Sequence, residues 1–387
     1  MPPPGPFPAN AGALGYGVSQ TRSLAQGTSS GLLGRLTLDK ANNRLWVASL
    51  ADGLFQVPLS GTDGSVVGAP AAVAGMGGCS VVVMTPAFAM CGNAAPFSAV
   101  AAVDGVLVYN LAINQFARSL STAGVAVGDG VYDASTASAL FTLADGTLMR
   151  VSSTTGLQVG GTTPLVTRPA CAASPAPGVP CYPLLSPAPD GAGRLFVNAA
   201  MQGAVLKVNA TTLGLLSTFP TAQLGCSVPV GLDVDPVAAR LFVGCADAGA
   251  PRLLVLNAND GALVATLPIG PGNQGVRWHA PKRLIYAWSA ASASVAVMKQ
   301  ATDAVTGADT YWTVEAAFTA PGARSVAVDV CDPVASGCTT SGTLYTVAPA
   351  ARYDPHSLPT ADNLGLFAAN AVTATGLPRL LTLKPGL

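Results

Sequence analysis

The stretch VGLDVDPVAARLFVG, Val230 to Gly244, followed by RLLVLNANDGALVATLPIG, Arg252 to Gly270, decides the fold. Its apolar residues come in short runs bounded by Asp, Pro, Asn and Gly, which is the pattern of strands separated by tight turns. Asp235-Pro236 breaks the first run, and Asn259-Asp260-Gly261 supplies a hairpin turn in the second segment. Two strands on either side of each turn make a four-stranded antiparallel unit.

The same phrase recurs along the chain: a short apolar strand, a turn with Asp and Pro or Ala, then an Arg-Leu-aromatic-Val strand. Second-strand cores are expected at Leu45-Trp46-Val47, Ala99-Val100-Ala101, Ala139-Leu140-Phe141, Leu195-Phe196-Val197, Leu241-Phe242-Val243, Leu284-Ile285-Tyr286 and Leu344-Tyr345-Thr346. Such spacing, roughly 40–60 residues, is that of propeller blades with loop insertions. One sheet of this kind cannot bury both faces alone, so the copies should pack radially around a central channel. The expectation is an all-β chain forming a single seven-bladed β-propeller of four-stranded antiparallel blades.

The last copy has clear strands near Arg324–Val330, Thr343–Val347 and Arg379–Leu383 but lacks a fourth, which the segment Gln20–Ala25 can supply. Pairing the first and last segments would remove an exposed sheet edge. On this reading residues 1–19 are a proline- and glycine-rich leader, and residues 20–387 form the propeller.

Half of the 387 residues are hydrophobic and only 10% are charged, with 43 Gly and 31 Pro, which excludes a disordered chain and a helical one. Basic and acidic residues balance at 19 each, so the sequence has no electrostatic footprint for nucleic acid or anionic lipid. No apolar run is long enough for a membrane span. The opening MPPPGPFPANAG has neither the basic nor the apolar region of a signal peptide, so an export signal would lie upstream.

Eight cysteines fall into four sequence-local pairs: Cys79/Cys91, Cys171/Cys181, Cys226/Cys245 and Cys331/Cys338. Even numbers in close pairs point to disulfides and to an oxidising, extracellular or secretory compartment. Cys226 and Cys245 flank two antiparallel strands and return to the same end of a hairpin. Zinc is disfavoured, because no C-x-x-C occurs and only His279 and His356 are present. The sequon Asn209-Ala210-Thr211 is a candidate glycosylation site that agrees with export.

Three segments, Arg240–Gly270, Gly275–Trp288 and Asp309–Asp329, carry RLFVGCADAGAPRLLVLNANDGALVATLPIG, GVRWHAPKRLIYAW and DTYWTVEAAFTAPGARSVAVD. They resemble the YVTN-repeat, YncE-like β-propeller family, whose blades carry similar DP-x-x-x-RLFV and TAPGAR phrases. The resemblance runs from about Gly34 to Leu383. It implies a seven-bladed propeller, typically exported, that serves in binding or has no defined activity. The family's aromatic-Asp-His phrase in the first inner strand is Leu33-Gly34-Arg35 here, and a Tyr-Asp in the sixth is Trp278-His279.

Loops entering the innermost strands converge on one face of a propeller, around the channel mouth, where ligands commonly bind. That rule selects Arg35, Asp129, Asn273, Gln274 and Arg324, with Arg352, Tyr353 and His356 from the insertion between Val347 and Arg379. Arg35, Arg324 and Arg352 would together suit a carboxylate or phosphate. The aspartates of Asp52, Asp104, Asp145 and Asp260 precede glycine and read as turn formers.

Catalytic signatures are sparse. There is no C-x-x-C-H for haem, the lone Glu315 falls in an outer-strand region, and His279 reads as hydrogen-bonded filler. The expected function is therefore an exported, non-enzymatic binding module, a monomer without cofactor or metal. Its ligand would be a small anion, a glycan or a protein at the channel mouth. The alternative is a propeller hydrolase or oxidoreductase with its site at the same mouth.

Overall fold

The computed structural model describes residues 15–23, 33–49, 53–93, 105–166, 183–247, 249–319, 325–334, 338–348, 351–353, 372–374 and 379–385. They form seven four-stranded antiparallel sheets arranged as blades of a β-propeller. In chain order the inner strands are Leu33–Asp39, Cys79–Met84, Val127–Asp133, Leu185–Pro189, Pro229–Asp235, Asn273–His279 and Val326–Val328. Six blades are built from consecutive strands. The seventh combines Val326–Val328, Leu344–Ala348 and Arg379–Lys384 with an outermost strand from the other end of the chain, Gly17–Ser23. Its register pairs Gly17 with Lys384 and Ser23 with Arg379.

The ring has no single core. Buried apolar side chains form seven wedges, each shared by two adjacent blades. Leu36, Val47 and Phe55 of the first blade meet Tyr345 and Leu380 of the seventh, for example. Burying each large side chain in such a wedge contributes about 1.5–3 kcal/mol. This is the reason for the period-2 pattern: successive inner-strand residues point alternately at the preceding and following blade.

Polar contacts then fix each wedge, one side chain reaching the inner strand of the next blade at six of the seven interfaces. Thr37 Oγ1 donates to Val82 O (2.7 Å), and Ser80 Oγ to Val127 O (3.2 Å). Asp129 accepts from the Ser186 amide (2.8 Å), and Asn198 donates to Gly231 O (3.1 Å). Asp233 accepts from the Trp278 amide (2.8 Å), and Ser325 Oγ from the Leu36 amide (2.8 Å). Between the sixth and seventh blades, His279 Nε2 meets Ser341 Oγ at 2.9 Å. We call these seven contacts latches.

The turn leaving each inner strand is capped in the same way. The side chains of Asp39, Thr85, Asp133, Asp190, Asp235, His279 and Asp329 each accept a backbone N–H from two or three residues ahead. All seven are buried. An acceptor at this place closes the turn locally, as Asx motifs do.

The second blade departs from the expectation. Its second strand is Phe88–Asn93, whereas Ala99-Val100-Ala101 lies outside the described residues. The segment FAMCGN lacks the Arg-Leu-aromatic-Val signature and pairs as a second strand through burial alone, every residue of it being buried.

Among the described residues three disulfides are present, Cys79–Cys91, Cys226–Cys245 and Cys331–Cys338, with Cα separations of 5.6, 5.4 and 6.2 Å. The first joins the inner and second strands of the second blade. Cys171 and Cys181 lie outside the described residues. Among the described residues no helix is long and apolar enough to cross a membrane.

Candidate functional site

The inner strands enclose a channel of about 700 Å³. Counting back from the capping residues sorts its wall into layers. Four places before the caps stand Arg35, Val81, Asp129, Ser186, Gly231, Gly275 and Ser325, the entry layer. Two places before them stand Thr37, Val83, Val131, Ala188, Asp233, Arg277 and Ala327, the middle layer, all of which line the channel.

Arg35 dominates the entry layer. Its guanidinium lies 2.6 Å from Asp129 of the third blade and 3.4 Å from Ser186 Oγ of the fourth. A side chain that starts on the first blade and ends there crosses the channel. Asp129 is buried and is further held by the Ser186 and Gly130 amides, both at 2.8 Å. Ser186 itself takes a left-handed φ of 45°, which brings its amide and hydroxyl together at this junction.

Asn273 and Gln274, expected at the mouth, are both buried. Asn273 donates to Gly275 O (3.2 Å) and Trp288 O (3.1 Å), a backbone role that leaves it no face toward solvent. Its amide oxygen occupies the space that a Cβ on Gly244 would need, 2.2 Å away, so that position requires glycine. Gly275 likewise makes room for the Trp288 ring, 2.0 Å from where its Cβ would stand, and Trp288 thereby reaches the channel wall.

Arg324 and His356 lie outside the described residues. Arg352 and Tyr353 belong to a short strand, Ala351–Tyr353, paired with Val372–Ala374, and nothing further of their side chains is described. Asn209 caps its own turn by accepting the Thr211 and Thr212 amides at 2.9 Å. Asp145 and Asp260 each accept an amide two residues on, as turn formers do, while Asp52 and Asp104 lie outside the described residues.

At the exit end, Lys40 of the first blade pairs with Asp329 of the seventh at 2.9 Å, and Thr340 bonds both. His279 is fully buried beside them. Its Nδ1 accepts the Lys282 amide (3.3 Å), so the proton sits on Nε2 and is donated to Ser341 Oγ, which in turn donates to Cys331 O (2.9 Å). Burial and the neighbouring Lys282 charge push its pKa down to about 4, which keeps the ring neutral.

Two residues absent from the expected site emerge in the middle layer. Asp233 is raised above the ordinary carboxylate range by burial, with the Arg277 charge opposing, and its oxygens accept the Trp278 and Val234 amides at 2.8 and 2.9 Å. Arg277 stands 3.6 Å from Asp233 with its side chain 49% exposed, and its guanidinium donates no hydrogen bond to any described residue. The signal for both was present in the sequence. Aligning the seven copies on their capping residues puts Asp233 and Arg277 at one level, where the other blades carry Thr, Val or Ala.

No protein-family model matches this chain, and no curated protein does. Solved structures match it as a fold. A structure of U3-55K has a TM-score of 0.62 at 10% identity, covering 95% of this chain and 100% of that one. A crystal structure of RRP9 WD40 repeats gives 0.65, also at 10% identity with the same coverage. This chain therefore shares the architecture of WD40-repeat propellers.

Proposed function

We propose that this chain is an exported, non-enzymatic interaction propeller of the YVTN-repeat type, which offers the entry face of its channel to an anionic group on a glycan or protein partner. The observation that carries the reading is the commitment of the polar side chains around the channel. Asp129, Asp233, Thr37 and Ser325 latch blades together, and Asp329 is paired with Lys40. His279 is buried, neutral and bonded at both nitrogens. General acid–base catalysis needs a titrating group within reach of a substrate, and these are occupied in holding the ring. A rigid ring with variable loops on one face suits recognition.

Three disulfides support an oxidising compartment. The WD40-like architecture supports a scaffold role. The oxidised protein and an Arg324→Ala/Arg352→Ala variant, applied to arrays of sulfated and sialylated glycans and acidic peptides, provide the test. Binding by the wild type that the variant loses is the expected result. Equal binding by both, or none by the wild type, overturns the reading.

A further inference from the structure

Among the described cations that line the channel, Arg35, Lys40 and Arg277, Arg277 is the one whose side chain donates no hydrogen bond. Among the described residues its ion pair is with Asp233, at 3.6 Å. That carboxylate is already satisfied by the Trp278 and Val234 amides, so an incoming anion can take the guanidinium without stranding a buried acid.

The position also has a direction. In other blades the middle-layer side chain turns toward the following blade: Val83 packs on the third, Ala188 on the fifth and Ala327 on the first. Arg277 instead carries its guanidinium back to within 3.6 Å of Asp233 on the fifth blade, and the seventh blade offers the channel a wholly apolar inner strand, Val326–Val328. On its own blade it is flanked by Val276 and Trp278, with the Trp288 ring admitted to the wall by Gly275.

We propose that Arg277 anchors a small-molecule site inside the channel, and that its ligand is an amphipathic monocarboxylate. The proposal rests on reading the channel as a binding feature rather than a catalytic one. A planar guanidinium engages a carboxylate through two parallel hydrogen bonds. One guanidinium without a hydrogen bond matches one negative charge, whereas a phosphate dianion would bring a second charge beside the Asp233 carboxylate. The volume, about 700 Å³, lies in the range of small-molecule sites and leaves room for an apolar body beyond the carboxylate.

The test titrates octanoate into the full, oxidised protein by calorimetry, with 1-octanol and inorganic phosphate alongside. Octanoate should bind with one site, and Arg277→Gln should weaken it by about tenfold or more while leaving 1-octanol unaffected. An unchanged octanoate affinity in Arg277→Gln overturns the proposal. So does the absence of binding by the wild type at millimolar octanoate, or phosphate binding as tightly as octanoate. If Arg277→Gln fails to fold, Arg277→Lys keeps the charge but removes the planar pair of donors and should weaken octanoate while leaving 1-octanol unaffected; no change there also overturns it. Octanoate binding that persists in Arg324→Ala/Arg352→Ala separates this site from the entry face.

Discussion

His279 Nε2 lies 2.9 Å from Ser341 Oγ, and this contact ties the sixth blade to the seventh at the place where the other blades cap the turn with an Asp or Thr. The imidazole performs both tasks at once. It accepts the Lys282 amide on one nitrogen and donates from the other, which only the neutral form can do.

Stability should therefore depend on pH through this residue. The folded pKa is about 4 against 6.5 for the free side chain, so between these values the unfolded chain binds a proton that the folded chain refuses. Stability from this source is full above the unfolded value, falls as pH drops toward 4, and levels off below. The loss is on the order of 2–3 kcal/mol. His279→Asn keeps a neutral acceptor and should flatten that part of the melting-temperature profile.

Arg35 and Asp129 hold three blades at the entry layer, and Asp129 is the buried member. Asp129→Ala should destabilise by about 2–4 kcal/mol, because it strands the Ser186 amide together with the guanidinium. Arg35→Met should cost less, since that side chain is 30% exposed and its charge is partly screened. Urea unfolding of the two single variants and the double variant gives the coupling; strict additivity would contradict the Arg35–Asp129 pair across the channel.

The Cys226–Cys245 bond closes a loop with a sequence separation of 19 between two adjacent strands. Removing it with Cys226→Ala/Cys245→Ala should lower stability by about 3 kcal/mol in the chain-entropy model. Peptide mapping without reduction should recover this pair intact, along with Cys79–Cys91 and Cys331–Cys338.

Ring closure depends on the segment before Ser23. Tyr16 Oη donates to Gly342 O (2.7 Å) and meets Tyr286 Oη (2.9 Å), while the Gly15 and Tyr16 amides donate to Glu315. The chain's lone glutamate thus holds the closing strand. Deleting residues 1–23 should lower the melting temperature sharply and promote self-association through the bared Arg379–Lys384 edge. Glu315→Ala should cost about 1 kcal/mol, seen as a smaller shift in the same measurement.

Local chemistry determined much of this protein. Runs of apolar residues bounded by Asp, Pro and Gly specify strands and turns within each blade, because backbone pairing over a few residues needs only that pattern. The Cys226 and Cys245 positions were legible for the same reason, since a hairpin brings its ends together. Where the pattern was weak, as in FAMCGN, the strand was set by burial that no local signal records.

Only the tertiary structure decided which side chains share the channel. Arg35 and Ser186 are 151 residues apart, and Lys40 and Asp329 are 289 apart. Their meeting depends on the number of blades and the order of their packing, not on either segment. Asn273, placed at the mouth by its loop, is buried because Gly244 on the preceding blade leaves it a socket. Arg277 stands out only once the other cations of the wall, Arg35 and Lys40, have found hydrogen-bond partners on other blades, and those partners are distant in sequence because a propeller's core lies between its repeats.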